Sequence, residues 1–238
     1  LAVSNTTAKE ILTMSEEQIS MNIGQFLHGI IDNNATDHTF PKITLQDFLR
    51  VYYDVGQDNV LPIFELEEDN IPKISKIGLF KDDQLVGELS IQEATFLNLL
   101  TYTVKQKLLE LSLPIEPFKN HLEKRENRNP EENLHINFII EKGKSKTKLI
   151  DKERLVFETE VNVELYLLEQ DAGVLVNDGH VIQLLEEEIK KKLTTEFENL
   201  LAKTQELQVD PFGYGIIYRI NERDHNLTRK EWRKKYPE

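Results

Sequence analysis

LVFETEVNVELYLLE, residues 155–169, alternates apolar and polar side chains over a length that reads as a β-strand with one buried and one wet face. Phe157, Thr159, Val161, Val163, Leu165 and Leu167 share the first face, and Glu158, Glu160, Asn162 and Glu164 share the second. Upstream, LHINFIIEK and, after Gly143, KSKTKLI read as two further strands. Downstream, Ile182, Leu185, Ile189, Leu193, Phe197, Leu200 and Leu207 recur near the helical period, predicting one long amphipathic helix over residues 180–207. Its outer side carries Glu186, Glu187 and Glu188, each four residues ahead of Lys190, Lys191 and Lys192, a favourable order for ion pairs on a solvated face. Strands followed by a long helix, without strand and helix alternation, predict an α+β domain with helices packed on an antiparallel or mixed sheet.

The earlier part of the chain carries its own pattern. Ile19, Ile23, Phe26, Leu27, Ile30 and Ile31 have helical spacing, and the DNNATDH stretch after them reads as a turn. Another helix is expected after Pro41, capped by Thr44, buried through Leu45, Phe48, Leu49 and Tyr52, and stopped by Gly56. LPIFELE and KISKIGLFKDDQLVGELS then read as strands, with Asp82 and Asp83 at a hairpin turn. In SIQE, Ser90 and Glu93 form a capping box, and Ala94, Leu97, Leu100 and Leu108 suggest a helix running on beyond it. Residues 112–133, rich in proline and charge, read as a long loop or a partly ordered insertion. The expected organisation is two α+β domains, 1–88 and 89–238, each an antiparallel or mixed sheet with packed helices, the second with the long helix on its sheet.

Composition narrows the function. A net charge of −13 over 238 residues works against nucleic acid and anionic lipid, which are gripped by clustered Lys and Arg. The sequence has no cysteine, which removes thiolate metal sites, disulfides and cysteine nucleophiles from it. No apolar run reaches the ~18 residues of a spanning helix. LAVSNTTAKEIL opens without an initiator Met and is expected to be a cut inside a longer protein, with any targeting signal outside this sequence.

VDPFGYGIIYRI, residues 209–220, offers two glycines around a tyrosine just past the long helix. A dinucleotide-binding glycine loop follows a strand and carries a third glycine, so a structural corner is the better reading. Asp210 before Pro211 predicts an N-cap with proline in the first helical position, and Gly213 and Gly215 then serve close packing in the first turns. The six histidines, His28, His38, His121, His135, His180 and His225, show no metal-ligand spacing. Asp32, Asn34 and Thr36 space their oxygens as a calcium loop does, but Asp37 and Ile43 stand where glycine and glutamate are needed, so a turn is expected. Glu158 or Glu160 could serve an acid-pair hydrolase, although they read as a solvated strand face. No nucleophile elbow, P-loop or other catalytic pattern is present, which leaves no catalytic residue, cofactor site or metal site to name. The tail RKEWRKKYPE clusters basic residues around Trp232 and reads as a terminal helix with Trp232 docked on its own domain, or else as a patch for lipid headgroups or an acidic partner.

Three stretches together resemble the GerAC family, the lipoprotein C subunits of GerA-type spore nutrient germinant receptors. They are TTAKEIL, like the start of the family's middle domain; ISKIGLFKDDQLVGELSIQE, like its strand, turn, strand and capped helix; and LLAKTQELQVDPFGYG. The last matches a pattern of Gln, Asp five residues on, a glycine pair and a downstream Trp: Gln205, Asp210, Gly213, Gly215 and Trp232. The resemblance spans the element order of almost the whole chain, with residues 101–133 matching poorly. It implies a non-enzymatic accessory subunit, without cofactor, working with integral-membrane A and B receptor subunits in nutrient-triggered germination. It also implies a place on the outer surface of the spore inner membrane, held by a lipid anchor in the intact protein. The family's N-terminal domain and lipid-bearing cysteine are expected to be absent from this sequence. A soluble ligand-binding module is the other reading.

Overall fold

The computed structural model describes residues 1–12, 22–36, 43–66, 71–122, 133–221 and 227–236. In chain order the elements are β1 (Val3–Ser4), α1 (Ala8–Leu12), α2 (Ile23–Thr36), α3 (Leu45–Tyr53), β2 (Val60–Leu66), β3 (Pro72–Lys81), β4 (Gln84–Ser90) and α4 (Ile91–Thr101). Then come β5 (Lys107–Pro114), a 3-10 turn (Glu116–His121), β6 (Asn133–Asp151), β7 (Val156–Gln170), α5 (Gly179–Glu206), α6 (Tyr214–Asn221) and α7 (Arg229–Lys235). Among the described residues, no helix is long and apolar enough to cross a membrane.

Two sheets form, and their strand orders follow the chain. The first is β1-β2-β3-β4, antiparallel except for β1, which runs parallel to β2. Its hairpin turns at Asp82, whose φ of 59° is the left-handed conformation that aspartate tolerates better than most residues. The second is the antiparallel meander β5-β6-β7. An α+β architecture with two sheets is the one expected.

Helix α4 lies between the sheets and touches strands of both. The Ser90 and Glu93 capping box starts it, the Ser90 hydroxyl accepting from Glu93 N at 3.1 Å and Glu93 Oε2 from Ser90 N at 2.7 Å. Every residue from Ala94 to Leu100 is buried, as befits a helix covered on all sides. The buried apolar side chains of the two sheets therefore join into one cluster through it.

Several local expectations are corrected. Helix α4 stops at Thr101, and Leu108 sits in β5 with its side chain exposed, because sheet pairing with Ile139 outcompetes further helix. The segment 112–133 departs from a plain loop and follows its other reading, a partly ordered insertion: Ser112, Leu113 and Pro114 close β5, and the 3-10 turn buries Phe118, while residues 123–132 lie outside the described ones. Gly143 does not separate two strands but lies inside the continuous 19-residue β6. There a Cβ would come 2.5 Å from Leu99 Cδ2, so the missing side chain lets α4 approach the sheet.

Helix α2 runs on to Thr36 through the first part of the segment read as a turn, and His28 Nδ1 lies 3.3 Å from Asp32 Oδ2 one turn on. Helix α3 is capped by Thr44 as predicted, yet Leu45 and Leu49 are exposed, and its inward face is the Phe48 and Tyr52 edge that meets Phe80. Helix α5 starts on an Asp178 cap that accepts from His180 N at 2.9 Å. Its glutamate run is not uniformly solvated, since Glu188 is buried and bonds to Lys191 at 2.6 Å, three residues on.

Helix α5 packs on α4 and β5. Between it and the apolar face of β7 opens a cleft of 1190 Å³, walled by Phe157, Val161, Val163 and Leu165 on one side and Ile182, Ile189, Leu193 and Phe197 on the other. The side chains of β7 on this face alternate as predicted but are half-buried where a core face was expected, because they line the cleft.

Candidate functional site

At the C-terminal end of α5 the chain turns sharply through Gln208, whose φ is 55°. Val209 N returns to Thr204 O at 3.0 Å, and Asp210 is delivered into the interior with 1% of its surface exposed. There it meets Asp58, 152 residues away in sequence. Asp58 N donates to Asp210 O at 2.8 Å, and Asp210 N donates to Asp58 Oδ2 at 2.9 Å.

The Asp210 carboxylate organises everything around it. Oδ1 accepts from Gly213 N at 2.9 Å; Oδ2 accepts from Gly215 N at 2.8 Å and from Trp232 Nε1 at 3.0 Å. Burial pushes its pKa from 3.8 up to about 7, against the backbone N–H groups that hold it down and with the nearby Asp58 charge adding to the rise. The corner departs from a simple N-cap. Pro211 and Phe212 form a turn, Gly213 sits at φ 80°, and helix α6 begins only at Tyr214, because a left-handed residue cannot continue a right-handed helix.

The two glycines have different tasks. A Cβ on Gly213 would meet nothing closer than 3.6 Å, so that position needs glycine for its backbone conformation and not for space, which corrects the packing role expected there. A Cβ on Gly215 would overlap Gly56 Cα and lie 2.6 Å from Trp232 Cε2. Gly56, at φ 105°, faces it in turn, and Ile216 N donates to Gly56 O at 3.1 Å. Two backbones are thus in direct contact, with the indole laid over them.

Helix α7 closes the site. Its Thr228 and Glu231 form a capping box, Trp232 is 3% exposed and stacks on Tyr218 with ring centres 5.7 Å apart, and Tyr236 OH meets Thr204 Oγ1 at 2.9 Å. Gln205 Nε2 reaches Tyr236 O at 3.4 Å, so Gln205 stands one step outside the Asp210 cluster while Gly213, Gly215 and Trp232 touch it. Arg233 spans Asp58 Oδ1 at 3.1 Å and Asp82 Oδ2 at 2.6 Å; Arg229 pairs with Asp82 and donates to the Asp54 carbonyl at 2.8 Å; Arg219 pairs with Asp54 at 2.6 Å. The two arginines of the basic tail therefore engage this protein's own aspartates, and Trp232 docks on its own fold.

The other candidates do not converge. Glu158, Glu160 and Glu164 lie opposite Lys148, Lys146 and Lys142 in the β6–β7 register, and Glu164 comes within 3.8 Å of Lys142. Among the described residues, no group of three His, Cys, Asp or Glu is placed to hold a metal ion. His121 and His180 pack edge to face at 5.9 Å, and His38 and His225 lie outside the described residues. Asp32, Asn34 and Thr36 fall within α2, so they form neither a calcium loop nor the expected turn, and Asp37 lies outside the described residues.

What the sequence did not reveal was the other side of the joint: the acidic Asp54, Asp58 and Asp82, with Gly56 between the first two. DVGQDN carried only a helix-stop signal, and nothing local ties it to a corner more than 150 residues away.

No curated protein gives a significant match to the chain. Among solved structures, the crystal structure of the GerBC protein has the same fold, with a TM-score of 0.64 at 19% identity. The match covers 100% of this chain and 64% of that one, so the sequence spans about two thirds of the GerBC chain's length. Residues 1–66, expected to belong to a middle domain, match the family described as spore germination protein N-terminal domain. Residues 75–238, which hold Asp210, Gly213, Gly215 and Trp232, match the family described as spore germination B3/GerAC like, C-terminal. The chain belongs to the spore germination B3/GerAC family.

Proposed function

We propose that this chain is part of the C subunit of a spore germinant receptor and that it acts without catalysis, through contacts with other receptor subunits. The observation that carries the reading is the family match over residues 75–238. It is supported by the use made of the matching residues. Gly213, Gly215 and Trp232 each donate to Asp210 in a buried joint, and Gln205 braces the tail beside it. Their donors and acceptors are consumed internally, which suits a scaffold better than a reactive centre. The partners in this reading are the integral-membrane A and B subunits, with the full-length protein anchored by lipid at the outer surface of the spore inner membrane.

The test is genetic. Spores whose full-length copy carries Asp210→Ala should lose the response to the nutrients of that receptor while still germinating through non-nutrient triggers. An unchanged nutrient response, with the variant present at normal level, would count against the reading.

A division into units 1–88 and 89–238 is part of this proposal, although Glu88 itself lies inside β4. The apolar cleft between β7 and α5 favours a second reading, a ligand-binding module, which predicts saturable binding of an apolar probe there.

A further inference from the structure

The wet face of β6 and β7 has an order of its own. Lys142, Lys144, Lys146 and Lys148 form one column on β6, and Glu164, Asn162, Glu160 and Glu158 stand opposite them on β7. The first column is wholly basic, and the second is acidic but for Asn162. Four lysines against three glutamates leave this face almost neutral, on a chain whose net charge is −13. Like charge over much of the surface repels a second copy of the chain, and this face is an exception.

The two columns do not use up their charges on each other. Lys142 comes within 3.8 Å of Glu164, whereas among the described residues Lys144, Lys146 and Lys148 make no ion pair, and Glu160 accepts from Asn162 Nδ2 at 3.1 Å. At the end nearest β5 the same face turns apolar. Leu108, Ile139 and Tyr166 lie in one row across the three strands, with Leu108 and Tyr166 each 58% exposed. A two-fold axis parallel to this face, running along the strands between the columns, exchanges them when it lays one copy on another. Lys148 then meets Glu158 of the second copy, Lys146 meets Glu160, Lys142 meets Glu164, and Ile139 meets Tyr166.

We propose that two copies of the chain pair through this face, sheet against sheet, with the lysine column of each on the glutamate column of the other. The occupant is a second copy because one face supplies both halves of the match, the condition for a two-fold interface. From Ile139 to Lys148 the patch is roughly 33 Å long at ~3.3 Å per residue. With strands ~4.8 Å apart, the contact covers roughly 1,000 Å² over both copies, the low end for a specific interface, so the dimer exchanges with monomer. Such pairing needs no other receptor subunit, and the purified protein displays it whether or not the receptor reading holds.

The test is sedimentation equilibrium of the full-length protein from low to high micromolar concentration, with far-UV circular dichroism to certify folding. Two charge-reversed variants accompany the wild type: one carries Lys144→Glu, Lys146→Glu and Lys148→Glu, the other Glu158→Lys, Glu160→Lys and Glu164→Lys. The wild type is expected to show a monomer–dimer equilibrium. Each variant alone sets like charges against like, and its dissociation constant should rise by at least ~10-fold. An equimolar mixture of the two should dimerise again, acidic face on basic face. A wild type that stays monomeric throughout would overturn the pairing, as would a dimer left unchanged in both folded variants or a mixture that does not associate. If either triple variant does not fold, Lys146→Glu and Glu160→Lys provide the same three samples. Dimers no weaker in each of these alone than in their mixture would then overturn it.

Discussion

Trp232 Nε1 lies 3.0 Å from Asp210 Oδ2, so the last helix of the described chain is bonded to the corner that follows the longest one. That one carboxylate holds two backbone amides and an indole, all in the interior. Asp210, Gly213, Gly215 and Trp232 are thereby one structural unit.

Asp210→Ala should therefore cost more than an ordinary cap. It strands three buried donors at roughly 1–3 kcal/mol each, for a total of about 3 kcal/mol or more, against about 0.5–2 kcal/mol for losing an N-cap. Trp232→Phe, which keeps most of the ring packing and removes one donor, should cost clearly less. Urea denaturation compares the two, and a loss below ~1 kcal/mol for Asp210→Ala would contradict the geometry.

The glycine pair separates conformation from space. Gly215→Ala drives a methyl into Gly56 and Trp232 and should destabilise by at least ~2–3 kcal/mol. Gly213→Ala meets no clash and pays only for a positive φ, roughly 1–2 kcal/mol. Melting temperatures in the opposite order would show that the corner is packed differently.

These residues also show how far the sequence was legible. Alternation in 155–169, the Ser90 and Glu93 capping box and the 180–207 periodicity are local signals, and strands and helices stand where they point. Boundaries failed where sheet pairing decides them, as at Leu108, whose helical spacing yields to its β5 partner Ile139. The corner was visible as Asp210 and two glycines, but not its closure by Asp58, Gly56 and Arg233, because such contacts depend on the finished chain path. Sequence reading also gave both glycines one role, since a positive φ at Gly213 and a steric limit at Gly215 look alike in one letter.

Stability should depend on pH in two opposed ways. The Arg219 hydrogen bond holds Asp54 below its ordinary value, and Arg233 and then Arg229 do the same for Asp82, so their contribution is present above the unfolded pKa and lost as pH falls through the folded one. Asp210 acts oppositely. Its folded pKa of about 7 exceeds the 3.8 of an ordinary aspartate, so its contribution is complete below that ordinary value and is lost as pH rises towards 7. Denaturation midpoints measured from pH 4 to pH 8 should fall more gently in Asp210→Asn than in the wild type. Identical slopes would contradict the burial argument.

Nucleotides should leave the melting temperature unchanged. A glycine loop binds phosphate with free backbone N–H groups, and those of Gly213 and Gly215 are already held by Asp210. A saturable rise with added nucleotide, lost in Gly213→Ala, would restore the phosphate-loop reading.

The receptor-subunit proposal is met most directly by purifying the full-length protein from spore membranes in mild detergent and identifying what comes with it. Integral-membrane A and B subunits are expected in fixed proportion to it. Recovery of the protein alone, from spores that still respond to that receptor's nutrients, would contradict it.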